Sequence, residues 1–222
     1  MLFRSLYFEG ESTLDHRILR AVKNRFGSVD EIGVFEMTGA GLEPVADPAA
    51  AFLAGRTTGV SGSAVTALME GTRPLLVEIQ ALAAKSGFGT PQRVATGLDH
   101  RRLAVLLAVL ERRGGLPFGE RDVFVNVTGG MRLVEPSTDL AVVAALVSSV
   151  HDRPLPADAV FLGEVGLGGE IRPVAAVERR LNEAARQGFR RVFLSARSRL
   201  SLPGLDLVGL DGIGELARRL AA

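Results

Sequence analysis

The segment EPSTDLAVVAALVS, residues 135–148, decides which fold the sequence predicts. Ser137 stands just before a run of apolar residues, and such a run predicts a largely buried helix, here over 137–150. A serine at the head of a buried helix is either a catalytic nucleophile or a residue whose hydroxyl caps a backbone N–H group. The choice between the two depends on a second segment, PVAAVERRL at residues 173–181.

The composition of the chain narrows the classes of function. The 222 residues are 47% hydrophobic and 23% charged, with a formal net charge of +1. This is an ordinary globular balance, so any contact with nucleic acid or a membrane must come from a local patch. The absence of cysteine excludes disulfides, thiolate chemistry and cysteine-ligated zinc.

The few histidines and lysines argue against two further kinds of site. His16, His100 and His151 show no spacing typical of metal ligands. Lys23 and Lys85 are the only lysines, and neither follows a glycine, so the chain carries no complete Walker A loop. No apolar run of 18 residues and no signal-peptide pattern occur, and we therefore expect a cytoplasmic protein without membrane contact.

The hydrophobic pattern predicts a short first segment and a main domain, joined by the small, glycine-rich stretch 47–64. Leu14, Ile18 and Val22 are spaced by four, which predicts a helix over 13–26. The remaining predicted elements are a strand over 5–10, a hairpin over 31–47, paired strands over 64–69 and 74–82, a helix over 99–113, a strand over 122–129, the helix over 137–150, a hairpin turned at Gly168 and Gly169, a helix over 177–189, a strand over 190–196 and a helix over 211–221. Without a regular βαβ rhythm, this order favours an α+β fold.

Two sets of motifs resemble known families. EPSTDLAVVAALVS and LGEVGLGGEIRPVAAVERRLNEAARQGFRRVFL, within 122–195, resemble the proteolytic domain of Lon. LYFEGE, RILRAVKNRFGSVDEIGVFEM, GTRPLLVEIQAL and DVFVNVTGGMRLVEPSTDLA resemble the bacterial RadA/Sms DNA-repair proteins. The resemblance implies a Lon protease-like fold over 56–222, preceded over 1–55 by the C-terminal end of a RecA-like ATPase core.

The resemblance also implies what the complete protein does. It would be an ATP-driven DNA translocase, hence an ATP hydrolase, that acts in DNA repair and in recombination by branch migration. ATP, Mg and Zn are implied for segments upstream of this chain, and no cofactor is expected within it. The implied partners are single-stranded or branched DNA, further copies of the chain in a homo-hexamer, and a RecA-type recombinase.

The Lon resemblance places Ser137 at the nucleophile position and Arg180 at the position of the lysine base. An arginine cannot act as that base, because its pKa stays above about 12 in proteins. Glu135 and Asp139 flank the serine and would oppose an alkoxide or oxyanion. We therefore expect no catalytic residue, a Ser137 that caps the helix, and an Arg180 that pairs with Glu135 or Asp139. The alternatives are an active peptidase with an unusual base and a purely structural ring-forming domain.

The motif KNRFG is the best candidate for a nucleotide or DNA contact. It comprises Lys23, Asn24, Arg25, Phe26 and Gly27. The resemblance assigns this motif to the ATPase and DNA-translocation machinery, and cations of this kind suit phosphate oxygens. The alternative is an exposed helix end whose cations favour the helix dipole.

A second candidate for DNA contact is the predicted helix over 99–113. At about 100° per residue its leucines face the core, while Arg101 and Arg112 point away from them and Arg102 and Arg113 form a second stripe. We expect these arginines to contact the DNA backbone without reading sequence. The alternative is a solvated face.

Overall fold

The computed structural model describes residues 5–9, 16–23, 32–87 and 89–221. The strands in this part are β1 (Ser5–Glu9), β2 (His16–Lys23), β3 (Ile32–Thr38), β4 (Gly41–Pro44), β5 (Ser63–Glu70), β6 (Arg73–Lys85), β7 (Arg93–Thr96), β8 (Arg121–Val127), β9 (Ala159–Phe161), β10 (Glu164–Val165), β11 (Ile171–Arg172), β12 (Arg191–Ser195) and β13 (Asp206–Leu210). The α-helices are α1 (Pro48–Leu53), α2 (His100–Val109), α3 (Asp139–His151), α4 (Val177–Arg186) and α5 (Ile213–Ala221). None of the described helices is long and apolar enough to span a membrane.

The first four strands form an antiparallel sheet in sequence order. This overturns the helix predicted over 13–26, because β2 pairs with both β1 and β3. A spacing of four is also an even spacing, so the pattern that predicts one side of a helix suits one side of a strand equally well. Strand partners on both sides decided between the two. The hairpin predicted over 31–47 is confirmed as β3 and β4.

The main sheet has seven strands in the order β13-β12-β9-β5-β6-β8-β7. Strands β13, β12, β9 and β5 run parallel, as do β7 and β8, whereas β6 is antiparallel to both of its neighbours. A mixed sheet rich in parallel pairs is consistent with the predicted α+β class. The antiparallel pairing of 64–69 with 74–82 is confirmed by β5 and β6.

Alternating side chains of β6 separate two hydrophobic cores, one on each face of the sheet. Leu75 and Val77 belong to the larger core, which also contains the buried side chains of α2, α3 and α5. Leu76 belongs to the smaller core together with Leu181 of α4. Helix α3 is buried along most of its length because it is apolar on nearly every side.

Helix α2 confirms most of the amphipathic helix predicted over 99–113, but its end differs. Asp99 caps the helix by accepting hydrogen bonds from the N–H groups of Arg101 (2.8 Å) and Arg102 (3.0 Å). After Val109 the chain widens into a π-helical turn, Leu110–Gly114, closed by Gly115 in the left-handed conformation. The pattern at Gly168 and Gly169 forms the predicted hairpin as β10 and β11, whereas Ala159–Phe161 joins the main sheet.

Candidate functional site

The two positions that resemble a serine–lysine dyad lie at the start of α3 and in the first turns of α4. Ser137 is buried in a 3₁₀ turn, Pro136–Thr138, and its carbonyl oxygen accepts a hydrogen bond from the Gly163 N–H at 2.9 Å. Within the described residues its hydroxyl makes no hydrogen bond. Ser137 therefore does not cap the helix, and that prediction was wrong.

Groups other than the Ser137 hydroxyl occupy the start of α3. Thr138 takes the N-cap position, and its hydroxyl donates to the Glu135 carbonyl oxygen at 3.0 Å. The Leu140 N–H donates instead to the Gly163 carbonyl, 3.0 Å away on the chain that enters β10. Tertiary contact thus supplies the acceptor that sequence reasoning assigned to Ser137.

Arg180 is fully enclosed, with 1% of its side chain exposed. Its guanidinium donates to both carboxylate oxygens of Glu135, at 2.7 Å and 2.6 Å. The same group donates to the backbone carbonyls of Ala67 and Ala175. This confirms the predicted pairing of Arg180, with Glu135 as the partner. Such a two-point pair holds both side chains in fixed orientation.

The charge on Glu135 is stabilised by its surroundings. Burial opposes ionisation of this carboxyl, but hydrogen bonds from Arg180 and from the Met69 N–H outweigh it and lower its pKa. The Ser137 hydroxyl lies near enough to favour the carboxylate as well, although its geometry falls short of a hydrogen bond. Chemically the site is an ion pair beside an alcohol, and a guanidinium cannot remove the proton of that alcohol.

A second ion pair holds the other carboxylate that flanks Ser137. Asp139 accepts two hydrogen bonds from Arg102, including one at 2.8 Å from Nε, and a third from the Val165 N–H at 3.1 Å. Burial raises the pKa of the Asp139 carboxyl despite these bonds, and the carboxylate raises the pKa of Arg102. The expectation of Arg102 as an exposed cation is therefore corrected, because its charge is already paired inside the protein.

The other three arginines of the predicted stripes are exposed. Arg101, Arg112 and Arg113 form no ion pair with any described residue. Because the turn that carries Arg112 and Arg113 is π-helical, these two side chains are rotated away from the line that an uninterrupted α-helix would give. The stripe geometry predicted from 100° per residue does not extend past Val109.

The fold brings one more arginine to this surface. Helix α5 packs on the π-helical turn, and Gly214 lies against both the Arg113 carbonyl and the Arg218 guanidinium. In the sequence Arg218 belongs to one of several arginine pairs, and no local signal distinguishes this pair from the other arginine pairs. We call Arg101, Arg112, Arg113 and Arg218 the arginine surface.

The KNRFG motif lies largely outside the described residues. Lys23 is the last residue of β2 and is exposed, whereas Asn24, Arg25, Phe26 and Gly27 belong to the part that the structure does not describe. The alternative of a helix end does not apply to Lys23, which stands at the end of a strand. In the stretches 32–87 and 89–221, as in the shorter described ones, no cluster of three or more histidine or carboxylate side chains could hold a metal ion.

Comparison with known proteins agrees with the resemblance seen in the motifs. Residues 85–198, just over half of the chain, match the family described as subunit ChlI of Mg-chelatase. The DNA repair protein RadA of Bacillus subtilis is 49% identical over 217 residues, which are 96% of this chain and 47% of that protein. RadA of Escherichia coli is 50% identical over 213 residues, 95% of this chain and 46% of its own length.

A third relative has the same proportions. RadA of Pseudomonas aeruginosa is 54% identical over 189 residues, 85% of this chain and 42% of that protein. The chain thus spans about half the length of the curated relatives it matches. The chain is therefore similar over most of its length to a fragment of the DNA repair protein RadA, and by residues 85–198 it belongs to the family described as subunit ChlI of Mg-chelatase.

Proposed function

We propose that this chain is the C-terminal part of an ATP-dependent protein of DNA repair and homologous recombination. Its own task is to bind the DNA backbone and to assemble with further copies, without proteolysis. The observation that carries the proposal is the arginine surface, since its cations are exposed and unpaired in the described part of the chain. The names of the relatives, DNA repair protein RadA, support the same conclusion.

The main domain, 56–222, is proposed to have a Lon protease-like fold that has lost its chemistry. The Arg180–Glu135 pair supports this, since it occupies the place where a base would have to accept a proton. The competing function is an active serine peptidase, and the buried Ser137 hydroxyl without a partner is the observation in its favour. A serine-directed phosphonate probe decides between them, because only an activated serine is labelled stoichiometrically.

Cofactors and further partners are proposed from the family resemblance alone. The chain has neither the Gly-Lys pair of a Walker A loop, which would hold ATP with its Mg, nor a cysteine for a cysteine-ligated Zn. We propose that these groups act in the part of the relatives that this chain does not cover, with residues 1–55 as the end of that ATPase core. A cytoplasmic location, a closed hexameric ring and a RecA-type recombinase partner belong to the same proposal.

The test of DNA binding is a salt titration on charge variants. Arg101→Ala with Arg112→Ala should weaken binding to single-stranded and to branched DNA, and adding Arg218→Ala should weaken it further. Each lost phosphate contact lowers the slope of log K against log salt by about 0.7 for single strands and about 0.9 for duplex. Folding should be unaffected, because exposed charges contribute little to stability.

The matched control is Arg179→Ala. Arg179 is exposed on α4, which packs on the opposite face of the main sheet from α2. Its loss removes one positive charge from the protein without touching the arginine surface. Equal losses of affinity for the control and for single variants of the arginine surface would show that only net charge matters. Unchanged affinity and salt slope in the double variant would exclude the surface as a DNA contact.

A further inference from the structure

In the part of the chain that the structure describes, no layer packs on one half of one face of the main sheet. Leu76 of β6 is covered by the smaller core, but Leu82, further along the same side of the strand, is 58% exposed. Leu82 stands opposite Phe124 of β8, and Phe124 stands opposite Val94 of β7. Phe124 and Val94 are 36% and 43% exposed. Three apolar side chains therefore form a continuous row across three strands, open to solvent.

A polar row runs beside the apolar one. Gln80, Asn126 and Thr96 occupy the next matching positions of the same three strands, and all three are exposed. Together the two rows line a cleft of about 640 Å³, whose lining also includes Val60 and Glu78. We call this surface, Leu82–Phe124–Val94 with Gln80–Asn126–Thr96, the open sheet face. Contiguous exposed apolar side chains of this kind mark interaction surfaces.

Glu78 gives the open sheet face its charge. Its buried carboxylate accepts hydrogen bonds from the Ser63 hydroxyl at 2.5 Å and from the Gln80 amide at 3.1 Å. A carboxylate has about four acceptor positions, so these two bonds leave capacity for a further donor. Among the described residues no cation lies within ion-pairing distance of it. Burial lowers the pKa of Arg56 and the charge of Glu78 opposes this shift. The Arg56 guanidinium donates its hydrogen bond to the Ala157 carbonyl and not to Glu78.

Among the described residues, the remaining lining of the cleft carries no charge of either sign. It consists of the residues already named with Thr57, Ser61, Gly62, Ala81 and Val125, so Glu78 is the one charged group that the described residues place there. The phosphate backbone of DNA would meet a carboxylate and no cation in this cleft. The open sheet face therefore differs in charge from the arginine surface. An inference drawn from the open sheet face does not rest on the DNA binding proposed for the arginine surface.

We propose that the open sheet face docks a separate protein partner through a segment that presents a basic side chain next to apolar ones. The apolar side chains would cover the row Leu82–Phe124–Val94, and the cation would reach the free acceptor positions of Glu78. A two-fold contact between two copies of this chain is disfavoured, because the same surface on the second copy offers no cation to Glu78. Charge complementarity therefore selects a basic, apolar segment as the occupant.

Methyl NMR of the full chain with two blocked dipeptides tests the proposal. Acetyl-Leu-Arg-amide should shift the methyl signals of Leu82, Val94 and Val60, whereas acetyl-Leu-Glu-amide should shift them much less. Glu78→Gln keeps the shape of the side chain and should weaken binding of the arginine dipeptide by about tenfold or more, since a desolvated charge pair is lost. Leu82→Ser, at an exposed position, should weaken binding of both dipeptides alike.

Any of three results would overturn the proposal. The first is that the two dipeptides shift these methyl signals equally, and the second is that Glu78→Gln leaves the affinity for the arginine dipeptide unchanged. The third is that the same signals move on dilution of the protein without any dipeptide, which would make the face a contact between copies of this chain. Sedimentation of the wild-type chain and of Leu82→Ser at the same concentrations identifies that third outcome.

Discussion

Replacing Arg180 with methionine should be among the most destabilising single changes in this protein. The substitution keeps most of the side-chain volume, so the loss is mainly polar. Removing one partner of a buried ion pair costs about 3–5 kcal/mol, because the other charge stays behind without compensation. Glu135 is 25% exposed, so water reaches it and the lower end of that range applies. The Ala67 and Ala175 carbonyls lose their donor as well.

Together these losses place the expected cost of Arg180→Met at about 4 kcal/mol, since the abandoned buried acceptor of Ala67 adds about 1 kcal/mol or more to that lower end, whereas Ala175 is exposed and its carbonyl can bind water. For a chain of this size that corresponds to a fall in Tm of about 10 °C. Urea unfolding followed by far-ultraviolet circular dichroism measures it, and the chain has no tryptophan for a fluorescence signal. The cost should appear in the transition midpoint, with the slope m unchanged.

A control and a double variant make this prediction refutable. Arg186→Met lies on the same helix at a 51% exposed ion pair and should cost about 0–1 kcal/mol. Arg180→Met with Glu135→Gln removes both charges and keeps an acceptor for the Met69 N–H, so it should be more stable than Arg180→Met alone. Equal costs for the two arginines, or strictly additive costs in the double variant, would refute the reasoning.

Three further outcomes are expected. Neither the wild-type chain nor Arg180→Lys should be labelled at Ser137 by a phosphonate probe, because Glu135 remains beside the hydroxyl; mass spectrometry of the intact protein checks this. The pKa of Glu135 is lowered from its ordinary value of 4.5, so its contribution to stability is present above that pH and is lost as the pH falls through the lowered value. Urea midpoints of wild type should therefore drop on acidification, and those of Glu135→Gln should drop less. Gly62→Ala should cost about 2 kcal/mol or more in urea unfolding, since the new Cβ collides with the backbone at a positive φ, whereas Gly59→Ala, equally left-handed but in open space, should cost about 1 kcal/mol.

Sequence patterns alone were sufficient for most of the main domain and for the argument against proteolysis. The run 137–150 predicts a buried helix, because it is longer than an ordinary strand and contains no glycine or proline that would end a helix. The pairing of 64–69 with 74–82 follows from two adjacent apolar segments separated by a short turn. That an arginine cannot serve as a base is a property of the residue type, so no fold was needed to conclude it.

The positions where prediction failed are those where a local pattern satisfies two structures or two partners. The spacing of Ile18 and Val22 suits a helix and a strand alike, and only the pairing of β2 with β1 and β3 selects the strand. Arg102 carries the same local signal as Arg101, but α3 places Asp139 beside it. Arg102 therefore forms an ion pair and is not an exposed, unpaired cation.

The sequence could not predict which side chains meet on one exposed surface, for a similar reason. Val94, Phe124 and Leu82 are apolar residues of three separate strands, and nothing in their order along the chain says that they meet in one uncovered row. The packing of α5 on the π-helical turn likewise brings Arg218 to Arg113 from about a hundred residues away. Residue type and local period therefore determined most elements of the main domain and the inability of Arg180 to act as a base. Contacts distant in sequence decided which charges of the described residues are free and which faces stay open, because burial and pairing depend on neighbours that only the folded chain provides.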